Sequence, residues 1–292
     1  MRQALITGSG MLATALAQTA PAFAYAPVVV PHGECDVTNR EAVLAIIREV
    51  RPALVLHTAA LTRVNYCEEH PEEALEVNGV GTRNVVEATE AALAHCVYFS
   101  TDYVFDGRKD RPWVERDQPS PLSAYGRSKL EGEKAVGEYH RGHIVRTSGL
   151  FGPRRDGTEE RNFFCAIAKQ LRDSPAGASL PVVSDQETAV TAASHLAAMV
   201  FSLFQDGLPP LVHITSTGHE SWYSWACLAA SALGESPDRI RPVGTAESGP
   251  GAPRPRYSVL GSEYSAVRAA VALHPARPAI YAYLSSWRAA PR

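Results

Sequence analysis

Three side chains at telling positions could do chemistry on a carbonyl group. Tyr125 and Lys129, in the run AYGRSK, stand four apart, so on a helix they share one face. Thr101 and Asp102 follow the apolar run VYFS, Val97 to Ser100, where a buried strand would end. A lysine ammonium near a phenol favours the phenolate and lowers its pKa from the reference value of about 10, which makes the phenol a general acid usable near neutral pH. A hydroxyl that hydrogen-bonds a ketone, a phenol that gives a proton and a lysine beside it are what ketone reduction by a nicotinamide requires. Alone, Y-x-x-x-K is more often a surface pair with a partly buried ring, so the reading rests on the combination.

The dinucleotide would be held at the amino terminus. LITGSGMLATAL, Leu5 to Leu16, sets G-x-G-x-x-A between the first strand-like run and the first helical stretch. Gly8 permits the tight turn, Gly10 lets a pyrophosphate approach the backbone, and Ala13 allows close helix-sheet packing. The free N–H groups at the start of that helix, around Met11 and Leu12, would then face the phosphates. The residues leave the cofactor open between NADH and NADPH. An acidic residue about 20 positions on would bind the ribose of NAD, but VPHGE, Val30 to Glu34, offers only Glu34, and no arginine stands ready for a 2′-phosphate.

These groups need a scaffold that brings strand ends and helix starts to one edge. Short apolar runs alternate with amphipathic stretches, the pattern of βαβ units and a parallel sheet. Strands are expected at Gln3 to Thr7, Pro27 to Val30, Ala53 to His57, Cys96 to Ser100 and His143 to Arg146. Helices are expected at Met11 to Thr19, Arg40 to Val50, Pro71 to Leu93 and Ser123 to Tyr139. After about Leu150 the pattern becomes scattered helices (Asn162 to Arg172, Ala189 to Phe204, Trp222 to Leu233) and brief strands (Leu180 to Val183, Leu211 to Ile214). The fold class is α/β, a Rossmann-type doubly wound parallel sheet. Residues 1–150 would form the dinucleotide-binding domain and 151–292 a smaller substrate-binding region, with some chain crossing back to the sheet.

The 292 residues, 45% hydrophobic, can fill a sizeable core, and a net charge of -3 supplies no overall field for nucleic acid or an anionic membrane. No apolar run approaches the roughly 20 residues that cross a bilayer, and MRQALITG enters a strand without a leader pattern, so a cytoplasmic protein is expected. Five scattered cysteines without a C-x-x-C pair argue against a disulfide framework or a zinc site. The ten histidines have no metal-ligand spacing, and His57 reads as a packing or polar-edge residue.

The blocks STDYVFDG (Ser100 to Gly107), PLSAYGRSKLEGE (Pro121 to Glu133), HTAALTRVNYCE (His57 to Glu68), DVTN (Asp36 to Asn39), RTS (Arg146 to Ser148) and RPRYSVL (Arg254 to Leu260) together resemble the extended short-chain dehydrogenase/reductases. Within them they are similar to the dTDP-4-dehydrorhamnose reductase family, over nearly the whole chain. The resemblance implies reduction of a nucleotide-activated 4-keto-6-deoxy sugar, and it tips the cofactor to NADPH, with NADH possible. Carried over by position, Tyr125 would protonate the alkoxide, Lys129 would hold the nicotinamide ribose and Thr101 would hydrogen-bond the ketone oxygen. Ala59, Ala60 and Leu61 would border the cofactor, with Asp36 and Val37 near the adenine. Thr101, Asp102, Val104, Phe105, Gly149, Asn162 and Arg254 would meet the substrate. Gly149 stands where the family has a tryptophan against the sugar, and DQETAVT, Asp185 to Thr191, lacks that loop's usual glycine and proline, so a reshaped sugar pocket is expected. Some members hold magnesium through glutamates at positions that here read Ala15 and Ser194, so no metal site is expected.

Arg154 and Arg155 are candidates to meet a diphosphate, or a solvated loop pair. Two other readings stand beside the reductase: a nucleotide-sugar epimerase or dehydratase that recycles a tightly held cofactor, and a non-catalytic cofactor-binding regulatory subunit. Partners are a nucleotide sugar, no nucleic acid and no membrane, in a monomer or homodimer.

Overall fold

The computed structural model describes residues 1–153, 162–175 and 177–289; Arg154 and Arg155 lie outside the described residues. Alternation along β1 (Arg2–Thr7) sets the layers: Ala4 and Ile6 face one apolar cluster and Leu5 faces another. The chain continues through α1 (Met11–Thr19), β2 (Tyr25–Val30), α2 (Arg40–Val50), β3 (Leu54–His57), α3 (Val64–Glu69) and α4 (Pro71–Leu75). One π turn, Glu76–Val80, leads into α5 (Gly81–Ala91), followed by β4 (His95–Thr101), α6 (Ala124–Gly137) and β5 (Gly142–Thr147). Beyond lie β6 (Leu150–Phe151), α7 (Phe163–Asp173), β7 (Leu180–Val183), β8 (Glu187–Ala189), β9 (Thr191–Ala192) and α8 (Ala193–Asp206). The described chain ends with β10 (Leu211–His213), β11 (His219–Ser221), α9 (Trp222–Leu233), β12 (Ile240–Val243), α10 (Ser265–Ala272) and α11 (Ala276–Ala289).

Six parallel strands form the central sheet in the order β10, β5, β4, β3, β1, β2. From β1 the chain goes first to β2 on one side and then to β3 on the other, which opens a crevice at the carboxyl ends of β1 and β3, where open α/β sheets bind ligands. Helices α1 and α8 cover one face through Leu12, Leu16, Leu196, Val200 and Phe201. On the other face Val43 and Ile47 of α2 and Val85 of α5 pack against Leu5 and Val55, and Val136 of α6 packs against Cys96 and Tyr98. A second core gathers Phe151, Phe164, Trp225, Ala229, Ile280 and Leu284 between α7, α9 and α11.

All five strands expected in the first half form, with ends moved by a residue or two. The single helix expected from Pro71 to Leu93 is interrupted by the π turn, and the helix expected from Ala189 starts only at Ala193, because β8 and β9 take up the preceding residues. Helix α8 and strand β10, both from the C-terminal half, belong to the central sheet layer.

One polar contact pins α6 to the sheet. Glu133 of α6 and Arg146 of β5 form a two-pronged ion pair, Nε to Oε1 2.8 Å and Nη2 to Oε2 2.6 Å, with side chains only 5% and 3% exposed. Ser100 of β4 donates to the same carboxylate at 2.5 Å. A buried pair is strongly destabilising to break, because the surviving charge has no water to turn to. Arg146→Met is therefore expected to lower urea-unfolding stability by about 3–5 kcal/mol, with partial recovery on adding Glu133→Gln.

Candidate active site

The carboxyl ends of the strands open into one cavity of about 1450 Å³, lined from β1 by residues 8–13, from β3 by 58–65, from β4 by 99–103 and from β5 by 147–150. A single small-molecule site occupies about 300–1,000 Å³, so this cavity has room for two ligands end to end. No helix among the described residues is long and apolar enough to cross a membrane.

The glycine turn has the shape a pyrophosphate needs. Gly8 sits at φ +87°, and a Cβ there would meet the Ala59 backbone at 3.2 Å, so the backbone conformation and the close approach of the segment after β3 both favour glycine. Gly10 is the N-cap of α1 and supplies no side-chain acceptor to the N–H groups that open the helix, while space lies open beside it. Those donors and the positive helix end suit a dinucleotide. Met11, Leu12, Ala59, Ala60 and Leu61 line the cavity beside it. Asp36 and Val37 also line it, and the Asp36 carboxylate accepts from the Thr38 N–H at 2.9 Å and hydroxyl at 2.8 Å, which holds its pKa low. Ser9, His32 and Cys35 are further lining residues.

Asn78, in the π turn, braces the middle of the site. Its side chain accepts from Leu61 N–H at 2.8 Å and donates to the Leu61 carbonyl at 3.0 Å and to Ser128 of α6 at 2.9 Å. The π turn thus points one amide at both the β3 loop and the helix that carries Tyr125, as such turns do at functional sites. His57 is buried and packed as the sequence suggests: Thr7 and Thr82 hydroxyls bracket its ring at 2.7 and 3.1 Å. Burial, with the Lys129 charge adding, pushes its pKa down to about 3, so the ring stays neutral.

Tyr125 and Lys129 lie on α6, whose start is capped by Ser123. Helix and β4 turn approach so closely that a Cβ at Gly126 would stand 2.2 Å from the Tyr103 carbonyl oxygen. This approach sets Tyr125 and Thr101 on the same cavity. Lys129, only 3% exposed, lays its ammonium 4.0 Å from the centre of the Tyr98 ring. Burial lowers the Lys129 pKa to about 7, with Glu133 pulling the other way.

Lowering of the Tyr125 pKa by Lys129, expected from the spacing, is not what this environment does. Burial raises the phenol pKa, the Thr101 hydrogen bond opposes it, and the Asp102 carboxylate raises it further. Desolvation disfavours the charged form of phenol and ammonium alike and is the largest cause for each. The phenol is held as a proton carrier by being kept protonated.

Thr101, Asp102, Gly149, Asn162 and Arg254 all line the cavity. Val104 and Phe105 do not, which corrects the sequence expectation: the chain makes a 3-10 turn at Asp102–Val104 and carries both side chains into an apolar cluster, where Phe105 stacks on Trp113 at 4.4 Å. Tyr103 takes the lining position instead. Gly149, at φ +53°, would place a Cβ 2.9 Å from the Ala189 carbonyl, so this backbone is built for glycine. Asn162 caps α7 through Cys165 N–H at 3.1 Å and donates to the Tyr283 hydroxyl at 2.9 Å. Arg254 donates to Asn65 at 2.9 Å, tying the Gly/Pro-rich segment before it to α3 across the mouth of the cavity. Phe163 and Trp222, with rings 4.5 Å apart, form an aromatic wall that spacing alone did not reveal.

Fold and site define a short-chain dehydrogenase/reductase scaffold, with glycine turn, threonine, tyrosine and lysine around one crevice. The family model described as RmlD substrate binding domain matches residues 1–288, and the chain belongs to that family. It is 36% identical over 262 residues to a dTDP-4-keto-6-deoxy-D-glucose reductase of Streptomyces niveus, covering 89% of this chain and 88% of that one. With a dTDP-4-dehydrorhamnose reductase of Mycolicibacterium smegmatis it shares 32% identity over 266 residues, 90% and 79% of the two chains. The fold superposes on the dTDP-4-dehydrorhamnose reductase of Bacillus anthracis, solved in complex with NADP, with a TM-score of 0.88, 30% identity and coverage of 98% and 99%.

The buried lysine has a measurable consequence. Between about pH 7 and its unfolded pKa, Lys129 is neutral in the folded chain and charged in the unfolded one, so its contribution to stability rises with pH over that window and is least below it. Lys129→Met is expected to raise unfolding free energy at pH 7 by roughly 2–4 kcal/mol, with the gain shrinking toward pH 10.5, when urea melts are compared across that range.

Proposed function

We propose that the protein reduces the 4-keto group of a dTDP-activated 6-deoxy sugar with NADPH, in deoxysugar biosynthesis. The observation that carries this reading is the convergence of Thr101, Tyr125 and Lys129 on the same cavity edge as the Gly8–Gly10 turn. The relatives named above support the substrate class, and the NADP complex of the Bacillus anthracis relative supports the cofactor.

A bound nicotinamide supplies hydride to a carbonyl carbon. The residues of this chain do the rest. Gly8, Gly10 and the N–H groups at the start of α1 hold the pyrophosphate, and Ala59 to Leu61 wall the cofactor on the β3 side. Lys129 fixes the ribose. Tyr125, protonated at neutral pH, gives its proton to the carbonyl oxygen as negative charge develops there; an alkoxide is more basic than a phenolate, so the raised phenol pKa leaves this transfer downhill. Arg254, held by Asn65, is placed to meet the negative nucleotide end, and Phe163 with Trp222 to shape the sugar side, where Gly149 leaves out the indole usual in the family.

An epimerase or dehydratase would return the hydride to the sugar and show no net cofactor oxidation, and a regulatory subunit would bind cofactor without turnover. The test is NADPH absorbance with dTDP-4-keto-6-deoxy sugars. Tyr125→Phe is expected to lower kcat about 100-fold or more while NADPH affinity stays within about threefold, because the phenol contributes its proton rather than cofactor binding. Equal turnover by the variant would remove Tyr125 from the mechanism.

A further inference from the structure

Gln186, between β7 and β8, is 4% exposed, yet it lines the cavity. Its side-chain amide donates through Nε2 to the Thr245 hydroxyl oxygen at 2.9 Å. That direction is forced. The Asp185 carboxylate accepts the Thr245 hydroxyl proton at 2.6 Å and the Thr245 N–H at 2.9 Å, and these bonds hold its pKa low, so it stays an acceptor. Thr245 has one hydroxyl proton, and with it on Asp185 the oxygen is left to accept. Gln186 must therefore present its NH2 group to Thr245 and turn Oε1 the other way. Among the described residues nothing donates to Oε1, and the atom is not sealed from the cavity. Parallel pairing of β7 with β12, which sets Val183 beside Val243, brings the two chain segments together just before Asp185 and Gln186 meet Thr245. The Gln186 backbone carbonyl accepts the Trp222 N–H at 3.2 Å, which joins it to the aromatic wall.

We infer that Gln186 is a specificity-determining residue for the nucleobase: its amide oxygen, fixed by Thr245, accepts the imide N–H of a thymine- or uracil-type base. The inference rests on the dTDP-sugar reading for its ligand and adds the group that selects the base. Its place follows from the order of parts along such a substrate. With the keto carbon at Tyr125 and the negative linker at Arg254, the base lies farther along, and the segment that carries Arg254 lines the cavity as far back as Thr245. Val182 and Val183 of β7, just before Gln186, line it too and offer apolar surface to a ring. A thymine or uracil ring carries one N–H between two carbonyls. Cytosine has a bare acceptor nitrogen at the same position, so Oε1 of Gln186 would face another acceptor and go unpaired in a buried place, which is costly.

The test needs no turnover: calorimetric titration of the NADPH-loaded protein with dTDP, dUDP and dCDP, with no keto sugar present. The native chain is expected to bind dTDP about 10- to 100-fold more tightly than dCDP, the range for leaving a buried acceptor unpaired. It should bind dUDP within about fivefold of dTDP, since one methyl group separates them. Gln186→Met keeps the length of the side chain and removes the acceptor, and it is expected to bring dTDP and dCDP within about threefold of each other. Thr245→Val leaves Gln186 in place but frees its amide to turn and donate to cytosine, so it should also collapse the preference, while Thr245→Ser keeps it. A merely structural role for Gln186 would weaken all three nucleotides equally in Gln186→Met, and that result would overturn the inference. So would dUDP binding as weakly as dCDP, which would give the selection to the methyl group, or a preference that survives in Thr245→Val. No binding of any of the three would overturn the inference together with the nucleotide part of the dTDP-sugar reading. Full selectivity for dTDP without NADPH oxidation by any keto sugar would support the inference and count against the reductase reading alone.

Discussion

Glu133 and Arg146 carry opposite charges where water reaches neither, and the geometry of the site hangs on their meeting. Ser100 adds a third hydrogen bond to the carboxylate, and Arg146 continues through Nη1 to His213 Nε2 at 3.3 Å, whose ring in turn faces the Trp113 and Gly261 carbonyls at 3.0 and 2.9 Å. Further hydrogen bonds from β4 and β10 thus supplement the pair, which is what allows charge to persist in a low-dielectric interior. With α6 fixed at Glu133, one turn earlier Lys129 lies under the crevice and one turn earlier again Tyr125 reaches Thr101. The close approach of helix and β4 turn depends on Gly126, where a Cβ would stand 2.2 Å from the Tyr103 carbonyl oxygen.

The rest of the site is joined to this fixed helix by amides and hydroxyls. Asn78 links it to the β3 loop, and Asn65 links that loop to Arg254 and the C-terminal segment. Asp102 links the β4 end to β8 by accepting from Thr188. These bridges span residues far apart in the chain, and they hold cofactor-side and substrate-side walls around a single crevice. The Asn78 amide does so without placing further charge where desolvation would oppose it.

Much of this was legible in the sequence because it follows from local chemistry. A strand followed by G-x-G-x-x-A and a helix has one good geometry, and alternating apolar runs located the parallel strands closely. The family-like blocks around Thr101 and Tyr125 identified groups that do converge. What escaped depends on distance. Val104 and Phe105 belong to a motif, but a short 3-10 turn and the pull of Trp113, eight residues beyond Phe105, send them into the core. The phenol pKa was misjudged because spacing reports the neighbour at i+4 and not the desolvation that the whole fold imposes. The Thr188 partner of Asp102 and the aromatic wall of Phe163 and Trp222 arise from tertiary packing that no short window contains.

The central claim is that this crevice carries out a net reduction rather than a recycled oxidation. It is tested most directly by supplying NADPH deuterated at the transferable C4 position with a dTDP-4-keto-6-deoxy sugar and locating the label in the product by NMR. The account predicts one deuterium at sugar C4 for each NADPH consumed. A product with no deuterium at C4, or an isomerised sugar formed without NADPH consumption, would contradict it.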